Sequence, residues 1–362
     1  MKSFTTPELK SGLFLGLLGL AISIAPDRAR AGGEDLRQIL PVTTSTIPSN
    51  GDVNPYGVAF VPEGFPGGVL QPGDTLVSNF NDNQNLQGTG TTIVSVTPAG
   101  APSLFYQGPP GLGLTAALSV LKRGFVLVGN LPTADGTSAT VQPGSLLVLN
   151  DKGVLVDTLT SGLAGPWGLT VRDDGDTAKV FVSSVLSGNV TRFDVSLAGG
   201  KFSVEREVTV GSGFSHRTDP AALVLGPAGL ALDPQLDILY VAAEGDNTIR
   251  AIADAEHRTT SAGTGTLIYQ DNVHLHGPLG LVLAPNGHLI TANADSTNVD
   301  PNQPSELVEF TVGGTFIGQY SLNPNNGGAF GVALVRERDG FIRLGAVDDN
   351  ENNLTVYNLR VP

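Results

Sequence analysis

The side chains able to do chemistry are few, and most of them fall in segments that read as loops. His216, His274 and His276 are three of five histidines, and His274-Leu-His276 sets two imidazoles on one side of the backbone where the segment is extended. Acidic residues crowd the neighbouring loops: Asp82, Asp135, Glu244, Asp246, Asp295, Asp300, Asp348, Asp349 and Glu351 occur there without a Lys or Arg. Neutral imidazoles beside carboxylates form a donor set for zinc. The runs Asp348-Asp-Asn-Glu-Asn-Asn353 and Asn79-Phe-Asn-Asp-Asn83 offer the hard oxygen ligands that calcium takes, though neither has the spacing of a defined calcium loop. His276, His216, Glu244, Asp295 and Asp348 are therefore the candidate ligands or general bases of a metal-dependent hydrolase or lyase. Amides thicken the same loops, and Asn79, Asn130 and Asn293 are candidates to hydrogen-bond a hydroxylated ligand. Turn chemistry alone accounts for the amides but not for the missing Lys and Arg. No cysteine is present to serve as nucleophile or thiolate ligand. No G-x-S-x-G, phosphate-cradling, H-E-x-x-H or dinucleotide motif occurs in a suitable setting.

What must position these loops is a repeat. The phrases Asn54-Pro-Tyr-Gly-Val-Ala-Phe, Pro110-Gly-Leu-Gly-Leu-Thr-Ala, Gly165-Pro-Trp-Gly-Leu-Thr-Val, Gly226-Pro-Ala-Gly-Leu-Ala-Leu, Gly277-Pro-Leu-Gly-Leu-Val-Leu and Gly328-Ala-Phe-Gly-Val-Ala-Leu align on Gly57, Gly113, Gly168, Gly229, Gly280 and Gly331. Those glycines are 56, 55, 61, 51 and 51 residues apart, room for a four-stranded antiparallel sheet in each interval. Each interval holds apolar runs of strand length broken by Gly, Pro, Asn or Asp, as in Gly168–Arg172, Lys179–Ser184, Val190–Val195 and Phe202–Val210. The pattern predicts an all-β, six-bladed β-propeller, with blades at about 54–107, 108–161, 162–211, 225–271, 276–322 and 327–362. The last interval is one strand short, and Leu36–Thr44 is the unassigned segment expected to complete it and close the ring. The phrase itself reads as the innermost strand: proline tolerates a strand's first position, and glycine lets six strands crowd one axis.

In such a ring the candidate loops share one face, around the mouth of a central channel, which makes that face electronegative and amide-rich. Arg217 is the one basic residue expected there, beside Asp219 and Asp271, whereas Lys122, Arg123, Arg172, Lys179, Arg336 and Arg338 fall on the opposite side. The phrase's variable position carries Tyr56, Leu112, Trp167, Ala228, Leu279 and Phe330, so Tyr56, Trp167 and Phe330 are expected to line the mouth.

The phrase resembles the P-x-G-[IVL]-[AV] opening of NHL-repeat six-bladed propellers, with Pro227-Ala-Gly-Leu-Ala-Leu-Asp233 followed by Leu239-Tyr-Val-Ala-Ala-Glu-Gly-Asp-Asn247 the best match. The resemblance runs from Asn54 to the C-terminus and implies fold far more than activity. Related gluconolactonase-like hydrolases carry Asn or Asp at the middle of such phrases to bind catalytic calcium or zinc, and here that position cannot ligate a metal. Zinc-dependent amidating lyases of this architecture use several axial histidines, where this chain offers His276 and His216.

Lys2, Lys10, the apolar run Leu13–Ile24 and Ala29-Arg-Ala31 have the layout of a cleaved secretory signal over residues 1–31, leaving a single domain at 32–362. Twelve apolar residues fall short of the roughly 20 that span a bilayer. Export without cysteine points to a bacterial periplasm or exterior. The net charge of −14 argues against nucleic acid. Two readings stand: an exported propeller binding a small-molecule, carbohydrate or protein ligand at an acidic mouth without chemistry, and a lactonase-like metal hydrolase, or a lyase, acting at the same face.

Overall fold

A computed structural model describes residues 41–337 and 340–360. The segment expected to be a secretory signal, residues 36–40 of the expected closing strand and Arg338 lie outside the described residues.

Every regular element of the described residues is a strand, apart from two 3-10 turns at Ala198–Gly200 and Glu244–Asp246. Apart from one two-stranded hairpin, the strands form six four-stranded antiparallel blades, five of them laid down in chain order from the axis outward and the sixth taking its outermost strand from Val42–Ser45. Blade 1 is Val53–Phe60, Thr75–Asn81, Thr92–Val96 and Pro102–Gln107. Blade 2 is Leu114–Leu121, Phe125–Asn130, Ser145–Asn150 and Leu155–Leu159. The inner strands of blades 3 to 6 begin at Pro166, Pro227, Pro278 and Ala329. Each inner strand packs against those of both neighbouring blades, and blade 6 meets blade 1, so the ring closes. Burial follows radius. The second strands Thr75–Asn81 and Phe125–Asn130 are buried throughout because blades cover both of their faces, while the outermost strand Leu155–Leu159 is largely exposed.

The repeated phrase owes its spacing to the axis. In blades 1, 3, 4, 5 and 6 the pairing of first and second strands is interrupted by a β-bulge between the lead residue and the strand beyond the glycine, as between Pro55 and Gly57 or Pro278 and Leu281. A bulge re-aims the extra residue. The re-aimed residues Tyr56, Trp167, Ala228, Leu279 and Phe330 meet in one apolar cluster. The glycine that follows each is obligatory: a Cβ on Gly168, Gly229, Gly280 or Gly331 would collide with the carbonyl oxygen of Ala228, Leu279, Phe330 or Tyr56 in the next blade.

Blade 2 departs from the sequence alignment. Leu114 pairs with Asn130 and Leu118 with Val128, which puts Ala117 where the other blades have glycine and Ala116 where they carry the re-aimed residue. Gly113 instead takes the place of Gly165, Gly226, Gly277 and Gly328, its carbonyl accepting the Leu131 amide as theirs accept Val185, Glu244, Ala294 and Asp349. One extra residue in the bulge shifts the frame, and Leu112 packs outside the axial cluster.

Closure is as the sequence predicts. Val42–Ser45 pairs antiparallel with Asn353–Val356 as the fourth strand of blade 6. Beside it Asn352, at φ 51°, works as a clasp. Its carbonyl accepts the Thr46 amide (2.9 Å) and hydroxyl (3.0 Å), and its side-chain oxygen accepts the Asn54 amide (2.7 Å).

Candidate functional site

Two successive residues at the end of each second strand decide what the axial mouth contains. The first pairs with the lead residue of the inner strand: Asn79, Asn130, Ser184, Ala243, Asn293 and Asp348 occupy this place in blades 1 to 6. In blades 1, 2, 3 and 5 its side chain braces the loop leading into the blade. Asn79 donates to the Thr46 carbonyl (3.0 Å), Asn130 to Leu112 (3.1 Å) and Asn293 to His274 (2.7 Å). Asn130 also accepts from the Ser145 amide and hydroxyl, and Asn293 from the His276 amide. These three amides, read from sequence as ligand contacts, are buried and act as struts. Asp348 takes the same place, buried, and accepts the Asn350 amide.

The second residue faces the axis. In five blades its amide is held by the glycine carbonyl just described, and across the six blades it is Phe80, Leu131, Val185, Glu244, Ala294 and Asp349. The four apolar members join or pack on the axial cluster. Glu244 and Asp349 are thus carboxyls at positions that are otherwise apolar. Glu244 is 2% exposed; the Ser296 hydroxyl donates to its Oε1 at 2.6 Å, and Oε2 has no hydrogen-bond partner among the described residues. Burial pushes this carboxyl up to about 8 despite the opposing pull of Ser296 and Arg217. Asp349 is pushed up to about 6 by burial and by the charge of Asp348. Both carboxyls act on Tyr56, whose phenol lies well above its ordinary range, first through burial and then through Asp349 and Glu244.

Below this acidic pair the aromatic residues form a floor. Tyr56 lies 4.5 Å from Phe330, 4.8 Å from Phe80 and 5.4 Å from Trp167, measured between ring centroids. Tyr56, Trp167 and Phe330 do converge on the axis, but as a packed plug: Trp167 is 1% exposed, because the bulges turn all three inward onto one another. Its indole Nε1 has no partner among the described residues. Beneath lies a cavity of about 40 Å³ lined by residues such as Ala116, Gly168, Gly229, Gly280 and Gly331.

A short hairpin covers the mouth. Arg217–Asp219 pairs with Leu223–Leu225, and Leu223 and Val224 sit in the axial cluster with Tyr56 and Trp167. Asp219 shapes the turn by accepting the Ala221 and Ala222 amides (2.9 and 3.1 Å), and Leu223 adopts φ 63°, unusual for a branched side chain. Arg217, half exposed, stands 3.4 Å from Asp219.

The remaining candidates lie apart. His276 is buried with Nδ1 2.6 Å from the Asn298 carbonyl and Nε2 3.2 Å from that of Val273, so backbone oxygens face both ring nitrogens. His216 is exposed and turned to the Phe214 carbonyl. Asp295 accepts the Asp300 amide and the Asn326 side chain. His274 contacts Asp271 and stacks on Phe316. Among the described residues no three His, Asp or Glu side chains converge as a metal would require. Of the acids named from the sequence, Glu244 lies at the axis, whereas Asp348 sits in the bracing position and its neighbour Asp349 acts on Tyr56. Aligning the second strands as well as the phrases separates the two. On the opposite face a more open groove of about 420 Å³ involves Arg172, Asp173 and Asp174, where Arg172 is paired with Asp174 and Glu256.

No family model matches the chain, and no curated protein matches it in sequence. Its fold is shared with solved structures. These include a calcium-binding protein, regucalcin, from Agrobacterium tumefaciens (14% identity, TM-score 0.52, covering 90% of this chain and 98% of that one). A gluconolactonase from Xanthomonas campestris is similar at 12% identity and TM-score 0.50, over 86% of this chain and 87% of that one. A luciferin-regenerating enzyme matches at 11% identity and TM-score 0.51, over 89% and 96%. At these identities the likeness is one of fold.

Proposed function

We propose that this chain is an exported propeller that binds a small ligand at the mouth formed by Glu244, Asp349 and Tyr56, without chemical conversion. One observation carries the reading: a buried carboxyl with an unpartnered oxygen stands against an apolar cluster in a ring of six positions of which four are apolar. A buried polar group without a partner costs about 1–3 kcal/mol, so its retention at the axis favours a ligand that completes it. Calcium and zinc fit this donor set poorly. The re-aimed residues Tyr56, Ala116, Trp167, Ala228, Leu279 and Phe330 include no metal-binding carboxylate or imidazole, and Glu244 and Asp349 are two carboxyls where a closed site needs more. Binding is testable through Trp167, the sole tryptophan, whose emission should respond to a saturable ligand and lose that response in Glu244→Gln. A response unchanged in that variant contradicts the assignment. Export predicts that the mature protein begins at Gly32, which N-terminal sequencing of secreted material checks.

A second reading has its own support. Glu244 at about 8 and Asp349 at about 6 straddle neutrality, so one carboxyl holds a proton where the other has released it. That gives the mouth one carboxyl able to donate a proton and one able to accept it, as ester or lactone hydrolysis needs, and a gluconolactonase is among the proteins sharing the fold. Lactone turnover lost in both Glu244→Gln and Asp349→Asn would favour hydrolysis over simple binding.

A further inference from the structure

We propose that the ligand of this mouth is an organic ammonium ion carrying an apolar group, admitted when the Arg217–Leu225 hairpin lifts. The inference rests on the binding reading above and adds the chemical class. Three features select it. First, Glu244 Oε2 is buried and unpartnered, and once the carboxyl is ionised a charged N–H donor is its strongest complement. Second, the surrounding charge is negative. Asp349 faces Tyr56 with Glu244, Asp348 is adjacent, and Asp219 adds to the field at Glu244.

The cation already acting there is Arg217. It lowers the Glu244 carboxyl's proton affinity through space, yet its own ion pair is with Asp219 and its side chain is half exposed. Arg217 thus supplies a weak internal counter-charge that a ligand ammonium could replace at closer range. Third, the side chains that lifting the hairpin would uncover are apolar, Leu223 and Val224 on the hairpin and Tyr56 and Trp167 in the cluster they pack into, which favours an apolar body with a cationic head over a hydrated metal ion.

Entry requires movement, since Glu244 is 2% exposed and Leu223 and Val224 of the hairpin are buried in the axial cluster. The hairpin is suited to it: two three-residue strands make it a separate small sheet, and Leu223 holds a left-handed backbone conformation. Binding would ionise Glu244 and release its proton, so affinity should rise with pH toward 8.

The test is calorimetric titration of the mature protein with benzylamine, benzyl alcohol, benzoate and calcium chloride, each alone, with Trp167 emission followed in parallel. The expected result is one-to-one binding of benzylamine, tighter at pH 8 than at pH 6. Affinity should weaken by about tenfold or more in Glu244→Gln and strengthen in Arg217→Ala. Benzyl alcohol or benzoate binding as well as benzylamine, with the response lost on Leu223→Ala, would overturn the ammonium assignment while keeping the mouth as a ligand site. Calcium binding alone, abolished in Glu244→Gln, would likewise replace the ammonium by a metal. If none of the four perturbs Trp167 or releases heat, both the inference and the reading beneath it fail.

Discussion

Glu244 and Phe80 occupy equivalent places in blades 4 and 1, and the difference between them is the chemical content of the mouth. An apolar residue there completes the axial cluster, whereas a carboxyl carries a desolvation penalty. The consequence for pH has a definite sign. A carboxyl whose folded value is about 8, against an ordinary 4.5, binds more protons folded than unfolded between those limits. Stability therefore falls as pH rises from about 4.5 through about 8, by up to the order of 5 kcal/mol from this group alone. Glu244→Gln should flatten that decline in melting temperature, leaving little change at pH 5 and a gain at pH 8.5. An equal slope in both proteins would contradict the account. Glu244 was legible as one of nine loop acids; its place at the axis was not, since the sequence does not say which of the nine reach it.

At the scale of elements, the inner strand explains both what the sequence revealed and where it misled. Its glycine is legible because a close backbone approach excludes every other side chain, which makes the phrase recur. Gly331→Ala should lower stability by about 2–4 kcal/mol through the clash with the Tyr56 carbonyl. Gly287→Ala serves as the control, since a Cβ there meets nothing within 4 Å and only its positive φ is strained. Equal losses in the two melts would deny the axial packing argument. Blade 2 was misaligned because its bulge has one more residue and Ala117 in place of glycine, so Gly113 matched the phrase by type while serving a different place. Trp167 was expected at the channel lining for a related reason. A bulge determines whether a side chain faces solvent or its neighbours, and bulges are set by pairing between strands rather than by local residue type.

For the whole molecule, six-fold repetition made the ring legible, and the missing final strand even revealed how it closes. Four residues, Val42–Ser45, and the Asn352 clasp join the chain's two ends. A chain beginning at Ile47 should melt well below the full protein, and Asn352→Ala should cost about 1–2 kcal/mol by losing a side-chain acceptor and a favourable left-handed residue. Melts unchanged in both would place the closure elsewhere. The ring's broader effect is to bury a carboxyl, Glu244, at its axis. That burial is tested most directly by titrating the side-chain carboxyl carbons of ¹³C-labelled glutamate by NMR, with the Glu244 resonance assigned by its loss in Glu244→Gln. The account predicts a carboxyl that changes protonation near pH 8, and a Glu244 resonance titrating near its ordinary 4.5 would contradict it.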